Sequence, residues 1–268
     1  MTTITVTPGA AAVRRQGIGT AVSDIVAMAG REVRRTLRSV DSLVTAFAIP
    51  VSIMLVFVVI FGGAIESDGD YVNYVVPGTL VLCLGFGAAS SAVGVAQDVA
   101  TGTVNRFKTL PVLGSAVLHG HVIASVLRNI AASVLVVGVA LLLGYQPGAD
   151  LGGWIAAVLF AVLVIVAFTW LSVLGGLLLS VDAAASISFV FLFLPYVSSG
   201  FVAVDTMPGW LHGFAQHQPF TPIIETLRDL LSGTAPGDTL WVALAWLAGI
   251  LLVGVVGSSL VFGRRVKG

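Results

Sequence analysis

The chain has 268 residues, of which 57% are hydrophobic and only 10% charged, against about 25% charged in an ordinary soluble domain. This composition excludes a water-soluble globule and points to a polytopic membrane protein. The formal net charge is zero, so the electrostatic message lies in where the charges fall, and the single cysteine, Cys83, excludes a disulfide framework and reads as a small core residue.

Residues 1–20 are small, polar and glycine-containing, and read as a disordered tail. Up to residue 42 the chain holds six arginines and three acids and no apolar run of signal-peptide length, so the first span is expected to act as its own targeting signal. Over 21–42, Val22, Ile25, Val26, Ala29, Val33, Leu37 and Val40 recur at helical spacing, while Arg31, Arg34, Arg35 and Arg38 occupy the other positions. The pattern predicts an amphipathic helix along a membrane interface, a solvated helix being the alternative.

Six apolar runs follow, over about 43–63, 75–96, 122–144, 154–179, 183–204 and 240–262. Each is long enough to cross roughly 30 Å of hydrocarbon at about 1.5 Å per helical residue. The expected fold is therefore all-α: six transmembrane helices over 43–263, the interfacial helix before them and a basic tail at 264–268. Pro50 in the first run and Pro195 in the fifth predict kinks. In the second run the small residues from Gly85 to Gly94 permit close backbone approach, to another helix or to a second subunit.

Two connections are more than tight turns. Segment 97–121, QDVATGTVNRFKTLPVLGSAVLHGH, is polar and basic, with helix-breaking Gly102 and Gly114 and a Pro111 that ends any helix begun near Asp98. Such a segment is excluded from hydrocarbon and must face water. Segment 205–239 holds the interface-seeking Trp210, then Thr221-Pro222 as a helix start, the apolar face Ile223, Ile224, Leu227, Leu230 and Leu231, and Gly233 as a stop. Short helices dipping into one leaflet or covering the spans are expected there, with Glu225, Arg228 and Asp229 as a solvated local group.

With six spans, the termini and the connections after spans two and four share one side. That side holds Arg14, Arg15, Arg31, Arg34, Arg35, Arg38, Arg106, Lys108, Arg264, Arg265 and Lys267, eleven of the 13 basic residues. Arg128, near the start of span three, is expected to snorkel back to the same face. Glu66, Asp68, Asp70, Asp150, Asp205, Glu225, Asp229 and Asp238 fall opposite. The positive-inside rule then places both termini and segment 97–121 in the cytoplasm.

Several chemistries lack their residues. A phosphate-binding loop needs Gly-Lys followed by Ser or Thr, whereas Lys108 follows Phe107 and Lys267 follows Val266. Ion-coupled carriers use an ionisable group at membrane depth, and no run contains Asp or Glu. His119 and His121 in one connection, and His212 and His217 in the other, match no triad or zinc spacing and read as solvated or interfacial. Energy or a signal is therefore expected from a partner, received at 97–121, at the short turn 180–184 and at the arginine-rich helix. No nucleic-acid partner is expected.

The order of local features resembles the type-2 permease subunits of ATP-binding-cassette (ABC) exporters, in particular actinobacterial drug-resistance permeases of the daunorubicin-exporter kind. The features are YVNYVVPG at Tyr71 to Gly78; Asp98, Gly102, Arg106, Thr109 and Pro111; Arg128-Asn129; Ser199-Gly200-Phe201; Met207-Pro208-x-Trp210-Leu211; and Gln218-Pro219-Phe220-Thr221-Pro222 with Leu227-Arg228 and Gly233. Two departures are visible: Asp98 to Thr103 stands where the family often has E-x-E-x-G-T, and Gln218-Pro219 where it usually has Asn-Pro.

The resemblance implies two permeases, this chain and a second copy or paralogue, working with separate ATPase subunits in the bacterial plasma membrane. No cofactor is expected in this chain, ATP and Mg being held by the partner ATPase. Coupling would fall to Asp98, Gly102, Thr103, Arg106, Lys108, Thr109 and Pro111, with Arg31, Arg34 and Arg35. A path between subunits would be lined by Phe86, Ser90, Phe189, Phe193, Tyr196 and Ser199, although core packing explains the same residues, and its apolar character suits a lipophilic drug or lipid-like molecule. Export of a polysaccharide or lipid-linked glycan, or a membrane anchor for a cytoplasmic partner without transport, are the alternatives.

Overall fold

The computed structural model describes residues 18–38, 40–62, 71–103 and 116–267. The tail up to residue 17, the acidic stretch 63–70 and segment 104–115, with Arg106, Lys108, Thr109 and Pro111, lie outside the described residues.

Among the described residues the regular structure is helical, in nine α-helices. They are α1 (Ile18–Arg38), α2 (Val40–Leu55), α3 (Tyr71–Ala100), α4 (Ala116–Leu142), α5 (Leu151–Leu178), α6 (Val181–Phe193), α7 (Gly209–His217), α8 (Phe220–Ser232) and α9 (Asp238–Lys267). Four of them, α3, α4, α5 and α9, are long and apolar enough to cross a membrane. Two apolar helical stretches are shorter: Phe47–Phe61, where α2 continues into a π-helical turn over Val56–Phe61, and Val181–Val197, where α6 tightens into a 3-10 turn over Leu194–Val197.

The fifth apolar run thus stops short of the expected residue 204. Pro195 has no amide hydrogen to continue the α-helical ladder and its ring crowds the preceding turn, and beyond it the Ser198 hydroxyl donates to the Pro195 carbonyl at 2.6 Å. Pro50, by contrast, sits inside an unbroken α2. The expected Thr221 cap is not formed: α8 starts at Phe220 after Pro219, and the Thr221 hydroxyl, already inside the first turn, donates to the Ala215 carbonyl. Asp150 Oδ1 accepts from the Gly153 amide at 2.8 Å to start α5, and α8 ends at Gly233 in the left-handed conformation, φ 78°.

Helix α3 is the centre of the molecule. It packs against α2, α4, α5, α6 and α8, and 78% of its apolar window is buried, against 17% for α9 at the periphery. Its small residues account for this position: Ala88, Ala89 and Ala92 are fully buried, and a Cβ on Gly176 of α5 would stand 2.4 Å from the Ala92 carbonyl oxygen. The small-residue stretch therefore serves internal packing on most of its circumference, leaving Phe86 half-buried and Ser90 exposed. The main core joins Leu84 of α3, Val136 of α4, Phe168 of α5, Phe191 of α6, Ile223 and Ile224 of α8, and Leu247 of α9.

Helix α1 lies against α4. Gly120 makes this possible, since a Cβ there would meet Met28 Cβ at 2.8 Å and the Ala29 amide nitrogen at 3.1 Å. The apolar stripe is divided between the protein and the exposed side of α1. Ala29 is buried, but Val22, Val26 and Leu37 are 54%, 62% and 64% exposed, and a charged residue, Glu32, occupies the buried face one turn after Ala29.

Candidate functional site

The polar interruption expected over 97–121 is helical at both ends. Helix α3 runs unbroken through Asp98 to Ala100, so no new helix starts at Asp98, and α4 already includes His119 and His121. Gly102 follows α3 with φ 67°, where only glycine is unstrained, and its amide donates to the Val99 carbonyl at 3.1 Å.

These two helix ends carry Asp98 and His121 into one buried cluster with α1. His121 Nε2 and Asp98 Oδ2 are 3.0 Å apart, and His121 Nδ1 lies 3.6 Å from Glu32 Oε2. Arg31 bridges the carboxylates, its Nη2 donating to Asp98 Oδ2 at 2.8 Å and to Glu32 Oε1 at 2.7 Å. Arg35 Nη1 stands 3.5 Å from Asp98 Oδ1 and 3.9 Å from Glu32 Oε2, and its Nη2 donates to Gln97 Oε1. His121 is only 4% exposed, which corrects the expectation of solvated or interfacial histidines for this one. Its partner acids come from 23 and 89 residues away and from two other helices, a proximity that spacing along the chain does not encode. His119 packs edge-on to Trp170 of α5, ring centroids 5.2 Å apart.

The electrostatics of the cluster close internally. Burial alone would lower the Arg31 pKa, but the Asp98 and Glu32 carboxylates outweigh it and hold the guanidinium above its ordinary value. One ligand atom from each of Glu32, Asp98 and His121 can be chosen within 4.8 Å of the others, a spacing that would suit a cation. Arg31 already bonds both carboxylates, so a guanidinium supplies the charge that a metal would and the set does not fit one.

Of the expected coupling residues, the cluster brings together Arg31, Arg35 and Asp98, while Arg34 is exposed. Thr103 is half-buried, its hydroxyl 2.9 Å from that of Thr101. The expected path residues differ in exposure. Phe189 and Phe193 are 60% and 59% exposed on α6, Ser90 donates to the Gly87 carbonyl on its own helix at 2.7 Å, and Ser199 is buried. Tyr196 stacks on Phe201, centroids 4.7 Å apart.

Arg128 does not extend back along α4 to an interface. Its Nη2 donates to the Gly87 carbonyl of α3 at 2.9 Å. Nor is Arg228 part of a solvated local group. It pairs with Glu225 at 2.7 Å, donates to the Ser199 carbonyl at 2.7 Å and the Tyr74 carbonyl at 3.2 Å, and lies over the Tyr74 ring. Here α8, the start of α3 and the turn after Pro195 meet. For Arg228, the neighbours Glu225 and Asp229 suggested a local pair, and nothing in sequence names its carbonyl acceptors.

A family model described as "ABC-2 type transporter" matches residues 23–231. The chain is 28% identical over 214 residues to the daunorubicin resistance ABC transporter permease protein DrrB1 of Streptomyces coeruleorubidus, covering 79% of this chain and 76% of that protein. It is 21% identical over 252 residues to the probable doxorubicin resistance ABC transporter permease protein DrrC of Mycobacterium tuberculosis, covering 91% and 89%. The matched region takes in α1 from residue 23, the charge cluster and α8.

Proposed function

Because this chain belongs to the ABC-2 type transporter family, we propose that it is the six-span permease subunit of an exporter that moves a lipophilic drug or lipid-like molecule out of the cell. The family is a membrane permease family whose ATP hydrolysis resides in a separate ATPase. The two relatives are drug-resistance permeases by name, which supports a lipophilic cargo.

In this reading α2 with its π-helical turn and α6 with its 3-10 turn complete six spans beside the four longer ones. Both termini and the α3–α4 connection face the cytoplasm, supported by the eleven basic residues on that side. Helix α1 lies at the interface, its exposed Val22, Val26 and Leu37 toward lipid. The α3–α4 connection, with Gly102, Thr103, Arg106, Lys108, Thr109 and Pro111, receives the motion of the ATPase, and a second permease completes the path.

The observation that carries this reading is the charge cluster at the base of that connection. Asp98 precedes it and His121 follows it; Arg31 and Arg35 tie Asp98 to α1, and His121 joins through Asp98 and Glu32. A load applied to the connection is thereby delivered to three helices together. The test is copurification from native membranes in mild detergent, followed by ATPase assay of the complex with Gly102→Pro and Arg106→Glu. A recovered nucleotide-binding subunit that these substitutions release or uncouple is the expected result. Recovery of the chain with a partner that lacks ATPase activity overturns the exporter reading in favour of an anchor.

A further inference from the structure

His121 has a carboxylate oxygen on each side of its ring: Asp98 Oδ2 at 3.0 Å from Nε2 and Glu32 Oε2 at 3.6 Å from Nδ1. A neutral imidazole has one N–H and one lone pair, so it can donate to only one of two acceptors. With the proton on Nε2 the Asp98 bond is made, and the Nδ1 lone pair then faces Glu32. Only the imidazolium donates to both.

We propose that His121 is a buried proton-binding site that sets how firmly α1 is held against the ends of α3 and α4. Protonated, the ring bonds Asp98 of α3 and forms an ion pair with Glu32 of α1 at 3.6 Å; deprotonated, it keeps Asp98 and loses its attraction to Glu32. The ligand is a proton exchanged with water, and the site regulates the docking of α1.

The charges around the ring come from each helix packed there. Helix α1 contributes Glu32, Arg31 and Arg35, and α3 contributes Asp98. Helix α4 contributes His121 itself and, further along, Arg128, whose field reaches Glu32; His119 turns away to Trp170. Arg31 bonds both carboxylates and Arg35 stands beside Asp98, and imidazole is the side chain whose charge changes in the range of about pH 5 to 8. Arg31 and Arg35 stay charged throughout and keep α1 loosely tethered when the proton leaves. Contacts that need the imidazolium are present at low pH and lost as pH rises.

The inference concerns the chain alone and stands apart from the exporter reading. The full chain in lipid nanodiscs would be followed by hydrogen–deuterium exchange between about pH 5 and 8, the interval in which imidazoles change charge, with rates corrected for intrinsic exchange and α5 peptides as reference. Protection of peptides across 22–37 is expected to fall by roughly three- to tenfold as pH rises, the scale of one ion pair. The step should vanish in His121→Gln and in Glu32→Gln, with α5 unchanged. Glu32→Gln keeps an acceptor for Arg31 and carries the test if His121→Gln does not fold. A wild-type α1 whose protection ignores pH, or a step that survives Glu32→Gln, overturns the proposal.

Discussion

The Arg228 guanidinium lies over the Tyr74 ring, 4.0 Å from its centroid, and donates to the Tyr74 backbone carbonyl as well. One side chain of α8 thus grips both the face and the backbone of the same residue in α3. Its other donors reach the Ser199 carbonyl and Glu225, so it also fixes the turn where α6 has ended.

Arg228→Met is therefore expected to destabilise the chain by about 2–4 kcal/mol, from the loss of several charge-assisted hydrogen bonds and a half-buried Glu225 left unpaired. Arg228→Lys should fall between, since a single ammonium cannot reproduce the fork that spans the two carbonyls. Thermal unfolding of the purified chain in one detergent checks this. A lysine variant as stable as the wild type would show that the fork is dispensable.

Close packing at Gly87 yields a sharper test. A Cβ there would stand 2.0 Å from Asn129 Oδ1. Asn129 donates to the Ser125 carbonyl at 2.9 Å, and the Ser125 hydroxyl meets that of Thr169 on α5 at 2.9 Å. Gly87→Ala should cost about 1–3 kcal/mol by overpacking and by displacing this polar link. In an Asn129→Ser background the same change should cost clearly less, because the colliding amide is gone. Additive effects in the double-mutant cycle would contradict the contact.

The charge cluster should respond unequally to losing either sign. Glu32 and Asp98 have side chains 8% exposed, while those of Arg31 and Arg35 are 36% and 46% exposed. An arginine that loses its partner can swing into water; a carboxylate cannot. Arg31→Met is expected to cost about 2–3 kcal/mol, discounted for its partial exposure. Asp98→Asn should cost about 1 kcal/mol, since its amide oxygen still accepts from Arg31 and His121. Melting measurements showing the reverse order would mean that the arginines are the confined partners.

Much of the helical order was legible because apolar runs of spanning length leave few alternatives, and α8 was marked by Pro222 in its first turn and by Gly233 at its end. The charge cluster was not. Asp98, Arg31 and Arg35 stood out as charges near a polar connection, but Glu32 and His121 become a site only when Gly120 lets α1 approach α4, which is a tertiary event. On α1, helical spacing identified an apolar stripe whose Val22, Val26 and Leu37 are exposed, while Glu32 takes a buried position through its partners, which spacing does not mark. Arg228 likewise bonds carbonyl oxygens, which every residue possesses and no side-chain pattern marks.

Phe193 and Tyr196 separate the two roles that sequence assigned them jointly. Phe193 is 59% exposed on α6, its ring 6.3 Å from that of Tyr196. Tyr196 is wedged among aromatics, with Phe201 at 4.7 Å and Phe57 at 5.8 Å between centroids. Tyr196→Ala should therefore destabilise the chain by about 3 kcal/mol through lost burial and stacking, while Phe193→Ala should leave thermal stability within about 0.5 kcal/mol of wild type. If α6 lines the path, Phe193→Ala should also change the substrate profile of the reconstituted exporter at unchanged expression, an effect separable from folding. A Phe193→Ala protein that is stable and transports every tested drug as the wild type does would remove Phe193 from the path and leave its exposed ring as a lipid contact.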